Sequence, residues 1–293
     1  MVPVAILCAV IGTVGWGLSN AAAKRLVERF GPVRAIVFRN SLAVILLVCA
    51  VLVVGIPDTF TMRMLAFGIA LSIAGYFPYI SFLTGLRRGK VGIVYPIAEI
   101  WVILAALIGI LYLGDVFTLG KAYALGFIVL GVIVSTVNFK LLKESDLISP
   151  SSGVPHALLS AILWGVIFAF FLYPSEALGG IFFALIVEGM VLLSALTHLM
   201  LKRERLIAHP ADNDALKSMW PFLIVSSLGA GVGTMFINFG YATGEIALVS
   251  AIAGAQIVVA GMFAHFIYGE RLTARQYAGA LLVIVGIACA AIL

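Results

Sequence analysis

The stretches LYLGDVFTLG (residues 111–120) and IYGERLTARQ (267–276) decide the reading of this chain. Each interrupts long apolar sequence with a glycine, an acid and a threonine in one order: Gly114, Asp115, Thr118, then Gly269, Glu270, Thr273. The second copy follows the first by 155 residues. Extending that register without a gap aligns 85–137 on 240–292. Gly85, Gly89 and Gly131 meet Gly240, Gly244 and Gly286, and Val94, Ile97, Ala98 and Ala105 meet Val249, Ile252, Ala253 and Ala260. Near the start of each half, GWGLSN (15–20) resembles LWGVIF (163–168). Breaks, glycines and run lengths recur in order, so the chain holds an internal repeat.

The composition excludes a water-soluble domain. Of 293 residues, 63% are apolar and only 11% charged, against roughly a quarter charged in soluble domains. Such a chain cannot clothe itself in polar groups, so lipid is expected to solvate part of it. A spanning helix needs about 20 mainly apolar residues. Ten such runs occur, near 3–23, 34–55, 63–86, 92–113, 119–139, 154–173, 178–201, 219–243, 246–268 and 274–293. The N-terminal run lacks a basic start and a small-residue cleavage site, and it reads as a retained first span. The polar segment KLLKESDLISPSSG (140–153) has linker composition. It divides the chain into two five-span units, 1–145 and 146–293. The predicted fold is an all-α membrane protein of ten transmembrane helices, built as two inverted five-helix repeats.

Inversion follows from the odd number of spans per unit. Loops after odd-numbered spans carry fifteen of the 18 Lys and Arg; even loops carry only Arg63 and Lys121, and Arg39 lies inside span 2. The bias places odd loops in the cytoplasm and both termini outside. The net charge of +5 and pI near 9.2 arise from these loops, with no basic face for nucleic acid. Cys8, Cys49 and Cys289 stand alone in apolar runs, without metal or disulfide spacing.

Inverted repeats whose units meet at mid-membrane are the architecture of many secondary transporters. Ten spans in two halves, the Trp-Gly pairs at 16–17 and 164–165, and the LGDVFT and YGERLT junctions resemble the drug/metabolite transporter superfamily, most closely its EamA-type exporters. The resemblance covers essentially the whole chain. It implies export of small metabolites, amino acids or drugs through a cavity among spans 1, 3, 4, 6, 8 and 9. It also implies cytoplasmic termini, opposite to the charge count, so the absolute orientation stays open between the two.

Polar groups at lipid depth are costly and mark candidate sites. Glu99, on one helical face with Tyr95 and Pro96, is expected to bind a substrate ammonium or a coupling proton; the structural alternative is a bridge to Arg39 or Lys90. Glu188 in span 7 matches Arg39 in span 2, so the two are candidates for a switching ion pair, although Arg39 lies nearer a membrane edge and is alternatively placed to snorkel. Trp16, Trp101, Trp164, Tyr76 and Tyr79 are mid-span aromatics suited to stacking a substrate. Glu99 and Trp101 lie about 200° apart on a regular helix, so both reach one site only where the helix is distorted, with Pro96 the expected cause. Asn238 and Gln256 supply amides. The junction residues read as caps: glycine ends a helix, threonine starts the next, and the acid sits near a positive helix end. No cofactor or metal set is expected, and no nucleotide-binding loop is present.

The function expected is a secondary transporter exporting amino acids or related metabolites across the inner membrane, with possible proton coupling. An organic-cation or multidrug exporter is the alternative, ahead of a passive channel or an intramembrane enzyme. The smooth apolar spans 5 and 10 are expected to face lipid or a second copy.

Overall fold

A computed structural model describes residues 2–89, 91–136, 152–207, 211–268 and 273–292. Linker residues 140–151, with the boundary near 145, and residues 269–272 lie outside these. The first half contains α1 (Val2–Phe30), α2 (Pro32–Val54), α3 (Met62–Arg88), α4 (Val91–Ala98), α5 (Trp101–Ile108) and α6 (Leu119–Thr136). The second contains α7 (Val154–Ala169), α8 (Leu172–Leu178), α9 (Gly180–Leu201), α10 (Ala211–Ser218), α11 (Trp220–Thr243), α12 (Ile246–Gly254), α13 (Gln256–Tyr268) and α14 (Ala274–Ile292). Among the described residues seven helical stretches are long and apolar enough to cross a membrane, and the bent pair α7–α8 makes an eighth; α6 and α14 are shorter apolar helices at the places of spans 5 and 10.

Three local features differ from the expectation. The first helix continues to Phe30, so Lys24, Arg25 and Arg29 ride on its last turns; buried Leu26, Val27 and Phe30 hold those turns in the bundle. Span 6 bends by 43° between α7 and α8. Pro174 explains the position, since it lacks an N–H for the Phe170 carbonyl four residues back. The polar segment before span 8 forms α10, with Asp212 and Asp214 in its first turn, where the helix dipole favours acids.

Equivalent helices run antiparallel across the two halves. Asn40 of α2 meets Glu188 of α9, Arg34 meets Glu204, and Pro57 beyond α2 lies against Gly179 before α9. Rising numbers on one helix meet falling numbers on the other, which is the inversion seen directly. Contacts also repeat in the 155-residue register. A Cβ on Gly85 would lie 3.1 Å from Val94 Cγ1, and one on Gly240 would lie 3.0 Å from the equivalent Val249 Cγ1. Gly17 meets Val259 as Gly165, its counterpart in the Trp-Gly match 148 residues on, meets Leu104. Gly131 against Val283 is matched by Gly286 against Ile128, so α6 and α14 pack on each other within the chain. Only their outward faces, with Leu130, Ile133, Leu281 and Ile284 exposed, remain for lipid or another copy.

Junction chemistry crosses between halves. Gly114 adopts φ 83° and ends the widened turn Gly109–Leu113; Thr118 accepts the Lys121 N–H at 3.3 Å. Asp115, expected at its own following helix, instead accepts the Ala247 N–H at 2.7 Å and caps α12 of the other half. Glu245, next to that helix, is paired with Lys121 at 2.5 Å. In the second junction Thr273 and Gln276 bond reciprocally at the start of α14, a capping box. Gly269 and Glu270 lie outside the described residues.

Candidate functional site

Spans 4 and 9 both break at mid-length, and the breaks build the site. In span 4 the turn at Glu99–Ile100 follows Pro96, with the tightened bonds Ile100 N to Ile97 O and Val102 N to Glu99 O, both 3.2 Å. In span 9 the break falls at Ala255, the repeat equivalent of Ile100, with Ala255 N bonded to Ile252 O at 3.0 Å. Span 9 has no proline there, so Pro96 is not the general cause. Both breaks lie where the spans cross: a Cβ on Gly254 would collide with Val102. The distortion turns Trp101 back toward Glu99, and its indole N–H donates to Glu99 Oε2 at 3.0 Å. Two residues that a regular helix would place on different faces thus share one network.

A cavity of about 90 Å³ lies where the repeats meet. Its wall includes Trp16 and Asn20 of α1, Arg39 of α2, Ser72, Gly75 and Tyr79 of α3, Trp101, Trp164 and Phe168, Glu188 of α9, Thr234 of α11 and Gln256. Two hydrophobic clusters flank it, and Trp164 packs against both. Spans 2 and 7, absent from the set implied by the family resemblance, carry the charges. Arg39 does not snorkel to a membrane edge. Its side chain is 7% exposed and that of Glu188 6%.

The first polar network joins these charges. Arg39 Nη1 lies 3.8 Å from Glu188 Oε2, longer than a charge-assisted hydrogen bond. Arg39 Nη1 also donates to Asn40 Oδ1 and Nε to Ser19 Oγ, each at 3.0 Å, and its guanidinium sits 5.0 Å over the Tyr79 ring. Glu188 accepts from Asn40 Nδ2 at 2.7 Å and from Thr234 Oγ1 at 2.5 Å, while Trp16 Nε1 donates to Thr234 at 3.1 Å. Tyr79 and Thr234 are repeat equivalents, so each charge rests on the same place in the third span of its own half. The second network runs from Asn20 Nδ2 to Gln256 Oε1 at 2.9 Å and from Gln256 Nε2 to Glu99 Oε2 at 3.4 Å. Neutral donors hold Glu99; among the described residues no cation pairs with it, Arg39 included, and Lys90 lies outside them.

The aromatic candidates converge on a residue the sequence reading passed over. Phe168 lies 5.5, 4.8 and 6.2 Å from the rings of Trp16, Trp101 and Trp164. Trp16, Tyr79, Trp101, Trp164, Gln256, Arg39 and Glu188 therefore share one wall, with Glu99 one bond behind it. Three candidates stand apart. Tyr95 is buried beside Asn20 without a full hydrogen bond. Tyr76 bonds His198 at 2.7 Å. Asn238 is buried with neither amide atom paired among the described residues. Asn20, Asn40 and Thr234 were missed. Asn20 follows Trp16 by four residues, a shared helical face; Thr234 was visible as the repeat partner of Tyr79.

Comparison with known proteins now gives the family. The EamA-like transporter family matches residues 3–137 and again 151–292. The chain belongs to the EamA-like transporter family. It is accordingly an integral membrane transporter of the drug/metabolite transporter superfamily, with one family unit in each half. No curated protein matches it. A protein of known crystal structure is similar over 98% of this chain and 96% of its own, at 15% identity and a TM-score of 0.75; that similarity concerns the fold.

Proposed function

We propose that this EamA-like protein exports a small amino acid or closely related metabolite across the inner membrane by alternating access, with odd loops in the cytoplasm. The observation that carries the reading is Arg39 on the cavity wall. Among the described residues its Nη2 has no hydrogen-bond partner, and its ion pair with Glu188 is long. A solute carboxylate fits this group. The ammonium then faces the Asn20–Gln256–Glu99 side, where Glu99 is the acceptor or the proton carrier. Arg39 repels an organic cation, which disfavours the multidrug alternative. Size points the same way: about 90 Å³ is less than the ~150 Å³ that holds benzene. This conformation admits a solute of few heavy atoms, and larger ones only on opening.

The test is counterflow into proteoliposomes with amino acids, nucleosides and organic cations. Saturable exchange of a small zwitterion is expected; flux without saturation would indicate a channel instead. Glu99→Gln is expected to transport with a flattened pH profile. An unchanged profile removes Glu99 from coupling, and Glu188→Gln then tests the remaining acid.

A further inference from the structure

We propose that Ser19 is a positioning residue of the transport cycle, tying the Arg39 guanidinium to a glycine–serine seam that seals one end of the molecule. The inference rests on the reading of Arg39 as the solute's carboxylate anchor. Helices α1 and α11 meet with almost no side chain between them. A Cβ on Gly15 would lie 2.8 Å from Gly233 Cα, and one on Gly229 would lie 2.5 Å from Gly15 O. Two serines close the seam reciprocally: Ser19 Oγ donates to Ser226 O at 2.6 Å, and Ser226 Oγ donates to Ser19 O at 3.0 Å. The equivalent interface between α7 and α3 is different. Its matching residues are Leu163 and Ile167 against Leu71, Ala74 and Pro78; Ser72, Gly75, Ile167 and Phe171 line the cavity there, and Ser160 Oγ donates to Pro78 O at 2.8 Å. The glycine–serine seam is therefore not repeated in its twin, part of which borders the cavity.

Ser19 joins the shut interface to the cavity. Its hydroxyl accepts from Arg39 Nε at 3.0 Å while donating across the seam. A hydroxyl that accepts from a cation is a stronger donor. A carboxylate that draws Arg39 into the cavity therefore weakens the bond from Ser19 Oγ to Ser226 O, and that one of the seam's two closing bonds comes to depend on the occupant. Opening toward the odd-loop end, the side from which an exported solute enters, follows when α1 and α11 part.

The test uses the full chain in lipid nanodiscs, with Cys8, Cys49 and Cys289 replaced and spin labels at Glu28→Cys and Ser218→Cys, beside the ends of the seam. Two label distances in exchange are expected. Ser226→Ala and Ser19→Ala should each raise the longer-distance population on the order of fivefold, the effect of one hydrogen bond. Ser227→Ala is the control, since that buried hydroxyl has no hydrogen-bond partner among the described residues; it should leave the populations unchanged. In counterflow, Ser226→Ala should change the maximal rate several-fold with KM held within about twofold, whereas Ser19→Ala should also raise KM. A single distance that neither serine variant moves overturns the seam, as does a shift of equal size with Ser227→Ala. Label distances that respond as described in a protein that exchanges no amino acid overturn the substrate reading and leave the seam standing.

Discussion

The Arg39–Glu188 pair yields a quantitative prediction. At 3.8 Å and an effective dielectric of ~20, two unit charges attract by about 4 kcal/mol. Removing one partner strands the other in a buried site, typically at a cost of 3–5 kcal/mol. Asn40 and Ser19 still hold Arg39, and Asn40 and Thr234 still hold Glu188, which softens each loss. We expect Arg39→Met and Glu188→Leu each to destabilise by roughly 3 kcal/mol. The double variant should lose less than their sum, by a coupling of about 2 kcal/mol. Unfolding by SDS titration in mixed micelles measures the cycle. Additivity within ~0.5 kcal/mol would refute the reasoning, because it would mean the charges do not sense each other. Counterflow should vanish in all three variants, since the two lacking Arg39 lose the anchor and Glu188→Leu leaves it without its counter-charge.

Other consequences follow from single contacts. Burial is the main influence on Asp115, and it raises the carboxyl above its ordinary range, outweighing the Ala247 N–H and Lys121. A raised carboxyl favours folding below its unfolded pKa and loses that contribution as pH rises. Asp115→Asn should therefore stabilise the protein at neutral pH, with the thermal-melt difference closing as pH falls toward 4. Gly17→Ala would set its new Cβ 2.5 Å from Val259 Cβ and 2.6 Å from the Gln256 carbonyl oxygen, and should cost about 1–3 kcal/mol; Val259→Ala keeps that Cβ and leaves the carbonyl, so adding it should recover little of the loss in the same micelle titration. Gly75 lines the cavity and has nothing within 4 Å of a built Cβ. Gly75→Leu should leave stability near wild type while lowering counterflow at least tenfold, an outcome that separates filling the cavity from damaging the fold.

The ten spans, the repeat and its inversion were legible because each rests on a local or additive property. Apolar run length fixes a span, and an odd span count fixes inversion. The register of 155 residues was strong enough to reappear as matched contacts, Gly85 with Val94 and Gly240 with Val249. Helix ends were less legible. Phe30 extends α1 beyond its apolar run because tertiary burial, not hydropathy, holds its last turns. The α7–α8 bend was missed although Pro174 stood in the sequence, because a proline marks a missing bond without saying whether the helix will turn. Asp115 was read as a local cap, yet its partner Ala247 is 132 residues away.

From the sequence alone came the environment, the duplicated architecture and the inventory of costly groups: Arg39, Glu99, Glu188 and the mid-span indoles. These follow from transfer free energy, which each segment carries wherever it packs. Which of those groups meet was decided only by the tertiary structure. Crossing of spans 4 and 9 turned Trp101 onto Glu99, crossing of spans 2 and 7 set Arg39 beside Glu188, and Phe168 gathered three tryptophans from three spans. Contacts of this kind depend on helix rotation and depth to within a few ångströms, and hydropathy, which is nearly uniform around these helices, does not encode them.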